Sequence, residues 1–203
     1  MTAIIDYGLG NLASIQNMLD VIGENAIITS DVDQIKKSDR LILPGVGAFD
    51  AGMKFLSERE LISVIKTEAD SGKPLLGICL GMQLLGRKSE EGKLEGLGLI
   101  PFESKKFKFD KTVNLKVPHM GWDIVAFKQK SPLVDGMEGT QRYYFVHSYH
   151  AVCDSEKNVL MSCDYGYEFA AAVVNKNVYG VQFHPEKSHD FGMSLLRNFV
   201  EKC

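Results

Sequence analysis

The chain has 203 residues, 45% hydrophobic and 24% charged, which suffices for one large core and reads most simply as a single domain over 1–203. A net charge of −3 and a pI near 6.0 leave no electrostatic footprint for nucleic acid, and no Lys/Arg-rich block or membrane-length apolar stretch occurs. Cysteines at 79, 153, 163 and 203 form no Cys-x-x-Cys pair, which argues for reduced thiols in a cytoplasmic setting and against a zinc knuckle or disulfide frame.

The first residues lack a basic segment before their apolar run and read as a strand, Ala3 to Asp6, rather than a signal peptide. Asn11 to Ile22 carries apolar residues at 12, 15, 18, 19 and 22, a helical stripe facing a sheet. Ala26 to Thr29 is a second strand and Arg40 to Leu43 a third, ending in Pro44-Gly45-Val46-Gly47. A helical stretch then runs to about residue 71 with Leu61, Val64 and Ile65 inward, and Leu75 to Ile78 forms a fourth strand feeding a helix that runs through Leu85. Strand and helix alternation with short connections implies a parallel sheet with helices on its faces, and function in such sheets collects at the carboxyl ends of strands.

From Gly96 the pattern changes to short runs between turn signals: Gly96 to Pro101, Lys105 to Phe109, Leu115 to Val117, Trp122 to Phe127, Tyr143 to His147, Ala151, Val159 to Ser162, Phe169 to Val174 and Val178 to Phe183. These predict hairpins and an antiparallel extension of the sheet. An amphipathic helix from Ser188, its expected N-cap, to about Glu201 closes the chain and buries Phe191, Leu195, Leu196, Phe199 and Val200. The fold class is therefore α/β, a flavodoxin-like mixed and mostly parallel sheet flanked by helices, with an antiparallel extension.

The fourth strand runs into Gly77-Ile78-Cys79-Leu80-Gly81, the thiol counterpart of a Gly-x-Ser-x-Gly elbow. Glycines on either side allow the sharp bend that projects the sulfur, and the amides of the following helix favour thiolate over thiol. A free cysteine is more often a buried core residue, so Cys79 alone decides nothing. At 105 residues further on, His184 and Glu186 follow an apolar strand with Pro185 between them. In a strand, residues two apart point the same way, so Glu186 can orient a His184 imidazole that reaches the cysteine. Singly, His184 is an ordinary satisfied histidine and Glu186 a solvated helix-start acid. Together with an elbow cysteine they match a nucleophile, base and orienter. The flexible Pro44–Gly47 loop, through the Val46 amide, and the Leu80 amide after the nucleophile would form an oxyanion hole.

Two other readings compete. Gly8-x-Gly10-x-x-Ala13 after a first strand, with Asp31 after the second, fits a dinucleotide fingerprint, though it leaves Cys79, His184 and Glu186 unused. His184, Glu186 and His189 match no familiar metal spacing, so neither a metal nor a cofactor is expected.

With Gly-Ile-Cys-Leu-Gly-Met-Gln at 77–83, Pro-Gly-Val-Gly at 44–47, Tyr-Phe-Val-His-Ser-Tyr at 144–149 and Gln-Phe-His-Pro-Glu-Lys-Ser at 182–188, the chain resembles class I, triad-type glutamine amidotransferases over nearly its full length. Asp6-Tyr7-Gly8-x-Gly10-Asn11-Leu12 and Pro118-His119-Met120-Gly121-Trp122 resemble, within that family, the glutaminase subunits of imidazole glycerol phosphate synthases. The resemblance implies L-glutamine as substrate, Cys79, His184 and Glu186 as catalytic residues, and Gly47, Gln83, Glu91 and the His147-Ser148-Tyr149 backbone as its binding set. It implies a heterodimer with a (β/α)8-barrel cyclase subunit that consumes the ammonia in histidine biosynthesis, contacted through Asn11, Trp122 and Lys187, and activity that rises when the partner is loaded. From the strand alone, Trp122 is equally well a core aromatic. One position departs from the family pattern: Asp123 stands where asparagine is expected, a negative charge near the proposed interface. It leaves open a paralogous role with another barrel, supplying ammonia for amidino groups on surface sugars.

Overall fold

The structure is a computed structural model and describes residues 1–110, 112 and 115–203. In chain order the strands are β1 Thr2–Ile5, β2 Ala26–Thr29, β3 Arg40–Leu43, β4 Leu75–Ile78, β5 Lys88–Ser89, β6 Phe102–Lys106, β7 His119–Phe127, β8 Gln141–His147, β9 Tyr149–Cys153, β10 Val159–Asp164, β11 Glu168–Asn175 and β12 Val178–Val181. The helices are α1 Leu12–Val21, α2 Val32–Lys37, α3 Phe49–Glu58, α4 Leu61–Asp70, α5 Leu80–Leu85 and α6 His189–Lys202.

The main sheet runs β2-β1-β3-β4-β12-β11-β10-β7-β8. Its first five strands are parallel and the remainder antiparallel, so the expected mixed sheet with an antiparallel extension is present. In β1 and β4 all four positions are buried, because helices cover both faces, and such strands read as continuous apolar runs rather than alternating ones. Alternation divides β1 between two cores. Ile4 packs with Ile15, Leu19, Leu195 and Phe199 on the α1/α6 side, while Ala3 and Ile5 pack with Ile35, Leu56, Leu61 and Ile65 on the α2/α3/α4 side.

Several expectations are corrected. Helix α2 has no counterpart among the predicted elements: it has six residues and one buried side chain, Ile35, so it carries little periodic signal, and it begins where Asp31 accepts the Gln34 N–H at 2.9 Å. The long helical stretch to residue 71 is two helices, parted at Glu60, whose backbone is left-handed at φ 57°. The runs at Gly96–Pro101 and Lys105–Phe109 give way to one strand, β6, across the gap between them, and Leu115–Val117 is not a strand. Ser188 does precede α6, but its hydroxyl makes no cap: it donates to the His184 carbonyl at 2.7 Å and accepts the Tyr144 N–H at 3.0 Å. Among the described residues no helix is long and apolar enough to cross a membrane.

Candidate active site

Strand β4 is central in the sheet and parallel to β3 and β12, so its carboxyl end opens beside the ends of both. Cys79 takes the turn there with φ 54° and ψ −110°, a conformation that costs a non-glycine residue on the order of 1–3 kcal/mol and needs surrounding structure to hold it. Two constraints supply that support. The Cys79 N–H donates to the Val181 carbonyl at 2.8 Å, and α5 leaves the turn so close to β3 that a Cβ on Gly81 would overlap the Leu43 carbonyl. Gly77 is equally constrained, since a Cβ there would press on the Gly81 backbone.

His184 lies just beyond β12 and is pinned at both ends of its backbone. Its N–H donates to the Tyr144 carbonyl at 2.9 Å, and its carbonyl accepts the Ser188 hydroxyl. Nδ1 of His184 is 2.8 Å from Oε1 of Glu186, with both side chains almost wholly buried. Among the described residues, neither Nε2 of His184 nor Oε2 of Glu186 has a hydrogen-bond partner. Burial opposes a charge on His184, but the Cys79 sulfur and the Glu186 carboxylate favour the imidazolium more strongly and push its pKa up to about 10.

The sulfur has a further partner that sequence reasoning missed. Gln182, fully buried, points Nε2 at Sγ of Cys79 across 3.8 Å, and its Oε1 accepts Nε2 of Gln83 at 3.1 Å. Gln83 also reaches the Tyr149 carbonyl at 3.3 Å. Because Val178 to Phe183 reads as an apolar run, its single amide looks like an ordinary strand residue. Only the register of β12 beside β4 turns it toward the cysteine.

Cys79 opens into a cavity of about 310 Å³. Every residue predicted on the substrate side lines it: Gly47, Gln83, Glu91, His147, Ser148 and Tyr149, together with Val46, Leu80 and His184. Pro118 and Val146, which lie in the quoted motifs but are not among the predicted site residues, complete the wall. Glu91 does two things, because its Oε2 also accepts the Phe49 N–H at 2.8 Å, a carboxylate on the first turn of α3 where no side chain caps the helix. A wider groove of about 910 Å³ lies along Phe127–Gly136 and Lys202 and holds neither cysteine nor histidine.

The two predicted oxyanion donors differ. Val46 is exposed and Gly47 has φ 112°, a backbone free to turn. The Leu80 N–H, however, donates to the Gly45 carbonyl at 3.3 Å, so that donor is occupied in this conformation. The bond is longer than the usual 2.9–3.0 Å, which makes it easy to exchange. The early glycine loop buttresses this segment. The Tyr7 hydroxyl donates to the Pro44 carbonyl at 2.6 Å and Gly10 packs on Pro44, while Arg59 lies over Gly8 and Asp31 is spent on capping α2. That is a support for the 44–47 loop rather than a cradle for a dinucleotide.

Trp122 is 41% exposed on β7, not a core aromatic. It stacks on His189 at 5.6 Å with an interplanar angle of 2°, beneath the Arg142 guanidinium, and Lys187 sits over the adjacent Tyr144 ring. Asn11 begins α1, which packs against the Pro185–Lys187 turn. Asp123 places Oδ2 at 3.0 Å from Nε2 of the buried His119 while its side chain stays 36% exposed, so its charge is partly engaged by the protein's own histidine. Among the described residues no group of three or more His, Cys, Asp or Glu side chains is placed to hold a metal ion.

Comparison with known proteins places the chain in a family. The profile of the family described as glutamine amidotransferase class-I matches residues 3–203. A Methanococcus maripaludis protein named imidazole glycerol phosphate synthase subunit HisH 2 is 53% identical, with all of both chains covered. The imidazole glycerol phosphate synthase subunit HisH of Sulfurimonas denitrificans is 52% identical over 99% of this chain and 98% of that one. A crystal structure of a glutamine amidotransferase superposes with a TM-score of 0.75 at 18% identity, covering 98% and 97% of the two chains, and the structure of PurLQS from Thermotoga maritima gives 0.74 at 18%, covering 98% and 96%. These two likenesses show the fold, and the sequence matches show the kinship: the chain belongs to the class I glutamine amidotransferases.

Proposed function

We propose that the protein is the glutaminase subunit of an imidazole glycerol phosphate synthase and that Cys79, His184 and Glu186 carry its chemistry. One observation supports this most: a strained elbow cysteine opens into a cavity that Gln83 and Glu91 also line, beside a buried histidine paired to a carboxylate at 2.8 Å. Relatives at about half identity over their full length carry that subunit's name.

In this reading the Cys79 thiolate attacks the side-chain amide carbon of glutamine. The carbonyl electrons move onto oxygen, and the His184 imidazolium gives its proton to the departing nitrogen as the C–N bond breaks. Ammonia leaves and a γ-glutamyl thioester remains. His184, now neutral, takes a proton from water, whose oxygen attacks the thioester and releases glutamate and the thiolate. Acid and base help of this kind contributes about 10²- to 10⁴-fold. Glu91 is the anionic partner for the substrate's ammonium, and the Tyr149 and His147 backbone bounds its other side.

The oxyanion would bind the Leu80 amide once the Gly45 carbonyl gives way, joined by the Val46 amide when the 44–47 loop turns about Gly47. That exchange is the step a partner would control. The partner in this reading is the (β/α)8-barrel synthase subunit, forming a cytoplasmic heterodimer. It docks over Trp122, Lys187 and Asn11 and receives the ammonia before water protonates it. The test is glutamate release from glutamine with and without the barrel subunit from the same source. Strong activation by the subunit is expected, and equal rates in both would contradict the reading.

A further inference from the structure

Asp123, His119 and His147 form a line of hydrogen bonds that runs from the partly exposed Asp123 on β7, through a buried link between the two rings, to the cavity wall. Oδ2 of Asp123 is 3.0 Å from Nε2 of His119, Nδ1 of His119 is 3.1 Å from Nε2 of His147, and Nδ1 of His147 is 2.8 Å from the Tyr149 carbonyl. The register explains the meeting of the two rings, since His119 and His147 are directly opposed across β7 and β8. Residues 119 and 123 in a regular strand stand about 13 Å apart. Gly121 between them has a left-handed φ of 138° and no side chain to stand between Asp123 and His119.

A carbonyl only accepts, so the Tyr149 bond requires a proton on Nδ1 of His147. The bond between the rings requires a second. The bond between His119 and Asp123 requires a third, on nitrogen or on oxygen. Two neutral imidazoles and an ionised carboxylate hold two protons in all. The line closes only with one more.

We propose that Asp123, His119 and His147 are a positioning chain that closes by taking up one extra proton and then holds the Tyr149 wall of the substrate cavity to strand β7. When that proton is absent, one link faces lone pair against lone pair, and the wall loses its tie. Tyr149 matters to the site because Gln83 donates to the same carbonyl and continues through Gln182 to the cysteine. The part of this inference that concerns substrate rests on the glutaminase reading; the proton count does not.

The surroundings fix the direction of the titration. His119 is stacked between Tyr165 and Phe145, at 4.0 and 4.8 Å between ring centroids, and His147 is packed by Phe107 and Phe169. Burial pushes His147 down to about 3, and it lowers His119 despite the Asp123 carboxylate beside it. The extra proton therefore belongs between His119 and Asp123 and enters on the acid side of the ordinary histidine range. The other titratable groups facing the chain are His150 on β9, bonded to the Tyr167 hydroxyl, Cys163 on β10, pushed up to about 12, Tyr165 after β10, bonded to the Lys116 carbonyl, and His184 across the cavity. None of them is bonded to the three-member chain. Asp164 follows Cys163, and Glu90 and Lys105 act on His150 rather than on this pair.

Asp123→Asn separates the proton from the hydrogen bonds. The asparagine amide donates to Nε2 of His119, so the same line closes with two imidazole protons and nothing to titrate. The experiment is ring-nitrogen NMR of the full chain between about pH 5 and 8, on wild type and Asp123→Asn, with glutamine KM and kcat measured across the same range on each protein in complex with the synthase subunit. In wild type we expect Nδ1 of His147 to stay protonated and the His119/His147 pair to gain one proton as pH falls. In Asp123→Asn the same tautomer should persist without that uptake. The ratio of glutamine KM between the two proteins should then change with pH while the ratio of kcat stays level. Identical ring titrations in the two proteins, or a His147 without a proton on Nδ1, would overturn the chain. The expected NMR with a pH-independent KM ratio would overturn its link to the cavity. Absence of glutaminase activity in both proteins would count against the functional reading, while the ring titrations would still decide for or against the chain.

Discussion

Nδ1 of His184 and Oε1 of Glu186, two residues apart in the chain, meet at 2.8 Å with their side chains 2% and 1% exposed. Pro185 between them begins a single 3₁₀ turn, which folds the carboxylate back under the ring instead of letting it continue along the strand. The ring's other nitrogen is thereby left for the cysteine. Glu186→Gln keeps the volume and loses the charge that favours the imidazolium. A fall of about 10²- to 10⁴-fold in glutamine turnover is expected, measured as glutamate release with the synthase subunit present.

The same pair sets a dependence of stability on pH. The folded pKa of His184, about 10, lies above its ordinary 6.5. The folded state therefore binds the extra proton more tightly, and this contribution is full below pH 6.5 and is lost as pH rises towards about 10. Urea unfolding of wild type should show stability falling across that interval, with a shallower fall in His184→Gln. Equal slopes in the two proteins would remove the coupling.

The four thiols should react unequally. Burial pushes Cys153 and Cys163 up to about 12 and raises Cys203, whereas Cys79 faces a cationic histidine and an amide donor. Near neutral pH a small alkylating agent should modify Cys79 well ahead of the other three, as read by peptide mass mapping. Excess glutamine should slow that reaction alone.

Gln182→Leu removes the amide that reaches Sγ and breaks the link to Gln83. A hydrogen bond to a charged group contributes about 1.5–3 kcal/mol, so alkylation of Cys79 should slow by roughly 10- to 100-fold. Melting in parallel separates that effect from unfolding.

Gly81→Ala tests the elbow. A methyl group there overlaps the Leu43 carbonyl, which belongs to a neighbouring strand and has nowhere to move. Overpacking of that kind costs about 1–3 kcal/mol or more, and a loss of about 3 kcal/mol lowers Tm by roughly 6–12 °C in a chain of this size. Calorimetry of the variant checks it.

The parallel half of the fold was legible because its strands are uninterrupted apolar runs buried on both faces, as in Ile4, Ile42 and Leu76. Helix α2 was not, since Ile35 is its one fully buried side chain and Val32 packs only partly, too little for a period to emerge. The break at Glu60 depends on a left-handed turn that no local sequence signal marks. In the site, Cys79 stood out by the glycines two residues to either side of it, and His184 and Glu186 by lying two residues apart at the end of an apolar run. Gln182 and the His119–His147 pair did not, because each acts across a strand register that only the assembled sheet supplies.

The most direct measurement is glutamate release from glutamine by the complex with the synthase subunit, comparing wild type with Cys79→Ala. The expected result is turnover in wild type and none above background in the variant, with the variant still folded and still binding its partner. A Cys79→Ala protein that releases glutamate at the wild-type rate would contradict the assignment of the nucleophile and the mechanism built on it.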